Sequence, residues 1–100
     1  MIALVFSYEA RAPEEFERVY GPNGAWAEFF RSGKGYIGTE LLRDVEIPGR
    51  FLVIDRWDSA DAYNAFVHEH RDEYMRRVDD TAHHYDQELR FGTFENVWDE

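Results

Sequence analysis

The strongest candidate for chemistry in this sequence is a histidine inside an otherwise mainly apolar helical stripe. Residues spaced at intervals of four fall on one side of a helix, and here they are Ala62, Phe66, His70, Tyr74, Val78 and Ala82. An imidazole that faces a protein interior can accept a proton near neutral pH. The pattern therefore predicts His70 as a general base and Tyr74 as a hydrogen-bond donor to a substrate oxygen. The alternative is a core histidine whose ring bonds a backbone carbonyl or Tyr74.

Aromatic side chains are numerous enough to form the wall of a pocket around these two residues. They make up 17% of the chain, and Trp57, Trp26 and Phe66 are the side chains that could hold a flat ring between them. Flat, rigid rings bind flat ligands, but the same rings also fill ordinary protein cores. The sequence leaves both interpretations open and predicts these three residues as substrate-binding if a pocket exists.

Metal chemistry has little support in the sequence. His83 and His84 are adjacent, so on a helix their side chains diverge by about 100°, and no carboxylate is placed to complete a set of ligands. His68 and His70 are two apart, whereas helical neighbours are three or four apart. The chain has no cysteine, which excludes disulfides and thiolate metal sites. We therefore expect no metal and no other cofactor.

The charge balance limits the possible partners. The formal net charge is −10 and the sequence pI is about 4.7, and no cluster of lysine or arginine is present to neutralise phosphates. Nucleic acid is therefore excluded as an expected partner. The longest apolar run is far shorter than the roughly 20 residues that span a bilayer, and the amino terminus lacks a basic region before a hydrophobic one. These features predict a protein without a membrane partner that resides in the cytoplasm.

Two continuous apolar runs indicate strands that are buried on both sides of a sheet. They are residues 2–6 and 51–54, and this pattern is typical of a strand that meets water on neither face. The segment Glu46–Gly49 has the composition of a tight turn. Together with weaker patterns elsewhere, these signals predict four strands at residues 2–9, 36–45, 50–57 and 88–97.

Two helical regions lie between these strands. The first begins at Pro13, is interrupted by the segment 21–24, and resumes at Ala25. The second begins after a cap at Asp58 or Ser59, carries the histidine stripe, and is predicted to split near residues 68–71.

The order of elements is β-α-β-β-α-β within a single domain spanning residues 1–100. With right-handed crossovers, this order gives an α+β, ferredoxin-like split βαβ fold: a four-stranded antiparallel sheet with its helices on one face. The other face then carries apolar residues without cover. A second copy of the same sheet is the simplest cover, so the sequence predicts a homodimer through the sheet face.

The chain resembles the antibiotic biosynthesis monooxygenase family of dimeric α/β barrels. The resemblance rests on residues 35–42 (GYIGTELL), which lead into the second strand, and on residues 55–66 (DRWDSADAYNAF) at a strand-to-helix corner. It implies a homodimer with a pocket between sheet and helices in each subunit. Trp57 matches the corner tryptophan of the family. The asparagines that accompany that tryptophan in quinone-forming members have no counterpart, since the first strand contains none and Asn64 lies on the predicted wet face.

The resemblance implies a small cofactor-independent monooxygenase that acts on a hydrophobic, aromatic, polyketide-like substrate. Two alternatives remain open. One is a non-catalytic small-ligand-binding or stress-related module of the same fold. The other is a haem-degrading monooxygenase, whose members use a histidine on the second helix as the iron ligand. His70 lies on that helix, although not at the position that aligns with the ligand.

Overall fold

The computed structural model describes residues 1–98 and shows a four-stranded antiparallel sheet with helices on one face. The elements are β1 (Ile2–Ala10), α1 (Pro13–Tyr20), α2 (Ala25–Phe30), β2 (Tyr36–Arg43), β3 (Arg50–Trp57), α3 (Ala60–Glu69), α4 (Arg71–Thr81) and β4 (Tyr85–Glu95), with a 3-10 turn at Ala82–His84. The strand order is β2-β3-β1-β4, which confirms the predicted ferredoxin-like topology. Among the described residues, no helix is both long and apolar enough to cross a membrane.

Both helical regions are divided, as the sequence predicts. The first ends at Tyr20 because the chain becomes extended at Gly21, whose amide still donates to the carbonyl of Glu17. The second divides at His70, which has φ −112° and ψ 32° and lies between α3 and α4. Ser59 caps α3, since its hydroxyl accepts a hydrogen bond from the amide of Ala62 at 3.1 Å.

The core between sheet and helices consists of two adjacent clusters. Alternate residues of β1, from Ile2 to Tyr8, point toward the helices. Phe6 and Trp26 are partly buried and pack against both clusters, so they connect them. The first cluster contains Ile2, Leu4, Phe29, Phe30, Trp57 and Phe66; the second contains Tyr8, Phe16, Tyr20, Phe51 and Val53.

The last strand differs from its prediction in position, and a bulge interrupts it. It runs from Tyr85 to Glu95 instead of 88–97, and a bulge interrupts its pairing with β1 between Arg90 and Gly92. An inserted residue reverses the inward and outward alternation beyond it. Leu89 pairs with Ser7 and Phe94 pairs with Ala3, so both point away from the helices. The second strand is also shorter than predicted and ends at Arg43.

The outer face of the sheet is apolar and incompletely covered in the single chain. About half of the side-chain surface of Leu42, Leu89, Phe91 and Phe94 is exposed on it or at its margin. Leu52 and Ile54 of the central strand β3 share this face, because they pair with Ser7 and Val5 of β1. We refer to Leu42, Leu52, Ile54, Leu89, Phe91 and Phe94 as the outer sheet patch.

The packing of the loop before β2 gives a first testable prediction. A Cβ atom added at Gly33 would lie 2.7 Å from ring atoms of both Trp57 and Phe66, whereas one at Gly38 would meet nothing within 4 Å. We expect Gly33→Ala to lower the free energy of unfolding by about 1 to 3 kcal/mol because the core rings must shift. Gly38→Ala should change it by less than about 0.5 kcal/mol. Urea denaturation of both variants checks this, and equal stabilities would contradict the described packing.

Candidate functional site

A cavity lies between the sheet and the helices where the two core clusters meet. Its volume is about 70 Å³, which is room for several water molecules. Its apolar wall is formed by Phe6, Trp26, Phe30, Val53 and Val78. Its polar wall is formed by Asp55, Glu88, Thr81 and five tyrosines, namely Tyr8, Tyr20, Tyr63, Tyr74 and Tyr85. Concave, mainly aromatic sites with a few convergent polar groups are typical ligand sites.

Asp55 is the carboxylate at the centre of the sheet that faces this cavity. It lies on β3 opposite Leu4 of β1 and Thr39 of β2. The Thr39 hydroxyl donates to Oδ1 of Asp55 at 2.7 Å, and the Tyr36 hydroxyl lies 2.6 Å from the same threonine oxygen. A threonine hydroxyl has one proton to donate, so Tyr36 must be the donor to Thr39 when Asp55 is ionised. This chain of hydrogen bonds fixes the orientation of the carboxylate.

Burial changes the acidity of Asp55. Removal from water disfavours the charged form and raises the pKa of the carboxyl to about 6, although the hydrogen bond from Thr39 acts in the opposite direction. Among residues 1–98, Thr39 is the only side chain that donates a hydrogen bond to this carboxyl. Oδ2 is therefore available to a ligand. A carboxylate with a pKa near the working pH is suited to general base catalysis.

Two tyrosine hydroxyls and an indole surround the same part of the cavity. The hydroxyls of Tyr63 on α3 and Tyr74 on α4 lie 3.4 Å apart. Burial, and then Tyr74, raise the pKa of Tyr63, so it stays protonated and can donate. The Trp26 ring packs edge-on to Tyr74 with centroids 5.6 Å apart. Its buried Nε1 lies near the Tyr20 hydroxyl but outside hydrogen-bonding geometry, so this donor has no protein partner among the described residues.

A second polar group lies further along the sheet. The Tyr8 hydroxyl donates to the Glu88 carboxylate at 2.6 Å, and burial together with this carboxylate raises the pKa of Tyr8. Burial also raises the pKa of Tyr20 to about 12. Glu88 is exposed and pairs with Tyr8, whereas Asp55 pairs with Leu4. The two acidic positions are therefore about 13 Å apart along β1, and Glu88 lies at the open side of the cavity.

The structure brings together only part of the set of residues predicted from the sequence. Tyr74 and Trp26 line the cavity. Trp57 is fully buried and Phe66 nearly so, and both belong to the first core cluster. His70 instead borders a separate depression beside the loop 32–35, where its ring packs on Phe66 at 4.5 Å between centroids. The role of His70 as a base therefore stays a prediction, because His70 does not line the cavity.

Sequence reasoning missed Asp55, Tyr63, Tyr8 and Glu88 as site residues. A signal for Asp55 was present, because Phe51, Val53 and Trp57 alternate with it and point inward. A lone acid at an inward position of an otherwise apolar strand indicates a functional carboxylate. Glu88 gave no such signal, since it lies on an edge strand whose inward side is largely exposed.

The role of Thr39 can be tested separately from catalysis. Loss of its hydroxyl in Thr39→Val removes the interaction that lowers the pKa of Asp55, so that pKa should rise further. A hydrogen bond to a charged group contributes about 1.5 kcal/mol or more, which corresponds to about one pH unit. Carboxyl-detected NMR titration, assigned with Asp55→Asn, measures the change. Thr39→Ser retains the hydroxyl and should leave the titration close to that of the unmodified chain; an unchanged titration in Thr39→Val would contradict the assignment.

Comparison with known proteins identifies relatives of this architecture. The sequence profile described as antibiotic biosynthesis monooxygenase matches residues 1–77. A variant of SnoaB, a cofactor-independent oxygenase from Streptomyces nogalater, is 20% identical with a TM-score of 0.80, covering 98% of this chain and 94% of that one. A putative antibiotic biosynthesis monooxygenase from Deinococcus radiodurans is 16% identical with a TM-score of 0.75, covering 100% and 96%.

A third similar structure is the haem degrader MhuD from Mycobacterium tuberculosis, which has two haems bound in its active site. It is 20% identical with a TM-score of 0.67, covering 100% of this chain and 99% of that one. No curated protein sequence matches the chain. At these identities, the structural matches establish the fold and leave the chemistry to the residues of the site.

Haem does not fit the cavity of this chain. Haem iron needs an axial ligand such as histidine, and no histidine among residues 1–98 lines the cavity. His70, the histidine on the second helical region, borders the other depression. Within residues 1–98 there is also no group of three side chains that could hold a metal ion.

Proposed function

Because the chain belongs to the antibiotic biosynthesis monooxygenase family, we propose that it oxygenates a small hydroxylated aromatic molecule without metal or flavin. The observation that carries this proposal is the partly buried Asp55 carboxylate, which faces an aromatic cavity and has a pKa of about 6. Asp55 is the proposed proton acceptor. Tyr63 and Tyr74 orient a substrate oxygen, and Trp26 forms part of the wall.

The proposed reaction needs only the substrate, dioxygen and the protein. Asp55 removes a proton from a phenol or from a C–H group beside the ring, which leaves an electron-rich anion. The anion passes one electron to dioxygen, and the two radicals combine through a new C–O bond to form a peroxide. The peroxide takes up the proton, and loss of water then converts a CH₂ group into a carbonyl. One oxygen atom enters the product and the other enters water, so the carbon loses the four electrons that dioxygen gains.

We also propose that two chains pair through their outer sheet patches. Monomeric proteins rarely leave a large contiguous apolar surface exposed. The domain measures 34 × 33 × 21 Å, and its broad sheet face is large enough for the roughly 800 Å² per partner of a standard interface. Pairing in this way covers the outer sheet patch and leaves the cavity free on the helical side.

An oxygen electrode with a panel of hydroxylated one- and two-ring aromatics tests the catalytic proposal. With a chelator present, we expect substrate-dependent uptake of one dioxygen per product molecule. His70→Ala should retain more than about half of this rate, because its ring lies outside the cavity. Ligand binding with no oxygen uptake across the panel would contradict the proposal and favour the non-catalytic binding module. Loss of uptake in a folded His70→Ala variant would assign the base to His70 instead.

A further inference from the structure

The charged groups that line the cavity are all acidic. They are Asp55 in its interior and Glu88 at its open side, and no lysine or arginine of the described residues 1–98 lines it. The chain as a whole carries a net charge of −10, so the surrounding field also repels anions. A carboxylate that enters this cavity loses its hydration and finds no cation to compensate.

We infer that this cavity selects neutral aromatic ligands that donate hydrogen bonds and excludes ligands that carry a carboxylate. This inference rests on the proposed function, which places a ligand in the cavity, and it specifies the charge of that ligand. Asp55 offers Oδ2 as an acceptor in the interior, and the Glu88 carboxylate is an acceptor at the open side. Phenolic hydroxyl or amide N–H groups on the ligand complement both positions.

The hydrogen-bond donors of the cavity fit the same ligand class. The Tyr63 and Tyr74 side chains line the cavity, and their hydroxyls share one contact of 3.4 Å. These neutral donors can bind a hydroxyl or carbonyl oxygen. They are too few to replace the full hydration of a carboxylate that lies beside Asp55, so they favour a neutral oxygen.

Arg90 is the nearest rival to this interpretation. It lies two residues after Glu88 on β4, and its charge offsets part of the rise in the pKa of Tyr63, so its field reaches this region. Its side chain is nevertheless exposed and donates to the Thr93 hydroxyl at 2.8 Å, and it does not line the cavity. An anionic ligand that used Arg90 would have to bind outside the aromatic wall.

Isothermal titration with two matched probes tests the inference at pH 8, about two pH units above the pKa of Asp55. The probes are 6-hydroxy-2-naphthamide and 6-hydroxy-2-naphthoate, which have nearly the same size and differ in charge. We expect the amide to bind at least about tenfold more tightly. In the double variant Asp55→Asn, Glu88→Gln, this ratio should fall below about threefold. Glu95→Gln is the control, because Glu95 lies on the same strand but does not line the cavity.

Three outcomes would overturn the inference: equal or tighter binding of the naphthoate, loss of naphthoate binding in Arg90→Gln, or binding of neither probe. The result is independent of turnover. Preference for the amide without oxygen uptake from any substrate would refute the proposed oxygenase activity and leave the charge selection intact. Efficient oxygen uptake with carboxylated aromatics would refute the charge selection and leave the proposed oxygenase activity intact.

Discussion

Replacing Asp55 with asparagine is expected to lower kcat for oxygen uptake by about 10²- to 10⁴-fold, which is the usual contribution of a positioned general base. Asparagine has nearly the same size, and its side-chain oxygen can still accept the hydrogen bond from Thr39. The fold should therefore persist, so that the loss reports proton transfer. A matched control is Asp58→Asn, because Asp58 is exposed at the strand-to-helix corner and does not line the cavity.

Ionisation of Asp55 has opposite effects on catalysis and on stability. Catalysis requires ionised Asp55, so kcat/KM of the unmodified chain should rise as pH increases through about 6. Folding favours protonated Asp55, because its folded-state pKa lies above the unfolded value. Its contribution to stability is fully present below about pH 4 and is lost as pH rises through 6. Above pH 7 we therefore expect Asp55→Asn to be more stable than the unmodified chain by about 1 to 3 kcal/mol.

Urea denaturation at pH 4 and pH 8, combined with pH profiles of oxygen uptake, measures both effects. A stability difference that is the same at both pH values would show that Asp55 titrates normally. A folded Asp55→Asn variant with full activity would remove the carboxylate from the mechanism.

The second large effect is expected on the outer sheet patch. The double variant Leu89→Asp, Phe94→Asp places charge on two side chains that are about half exposed in the single chain. Each carboxylate would be buried without a partner in a paired assembly, at a cost of several kcal/mol. We expect association to weaken at least about a thousandfold. The mass measured by sedimentation should then fall from twice the chain mass to the 11.9 kDa of one chain.

Val45→Asp is the matched control for this variant. Val45 is 96% exposed in the loop after β2, away from the strands that form the outer sheet patch. The Val45→Asp variant should sediment like the unmodified protein. A folded, unmodified protein that sediments as a single chain at micromolar concentration would contradict the proposed pairing.

The order and faces of most elements could be predicted from the sequence because their signals are local. The apolar run of β1, the break at Gly21–Gly24 and the serine cap of α3 each follow from neighbouring residues. The bulge in β4 could not be predicted in this way. It depends on how Arg90 and Gly92 pair with β1, and it moves Phe94 to the outer face.

The candidate site was predicted only in part for a similar reason. Helical spacing places Tyr74 and His70 on one stripe, but the chain divides at His70, so the two side chains reach different depressions. A continuous helix would have kept them together. The catalytic proposal consequently moves from the helix to Asp55 on the sheet, whose inward register follows from the alternation along β3.

The central claim is that ligand binds in the cavity between sheet and helices, against Asp55. The most direct measurement is a map of chemical-shift changes in the ¹H–¹³C NMR spectrum on addition of 6-hydroxy-2-naphthamide. We predict the largest changes at Tyr63, Tyr74 and Val53, with transfer of magnetisation from ligand protons to these side chains. Changes confined to His70 and the loop 32–35, or to the outer sheet patch, would contradict the account.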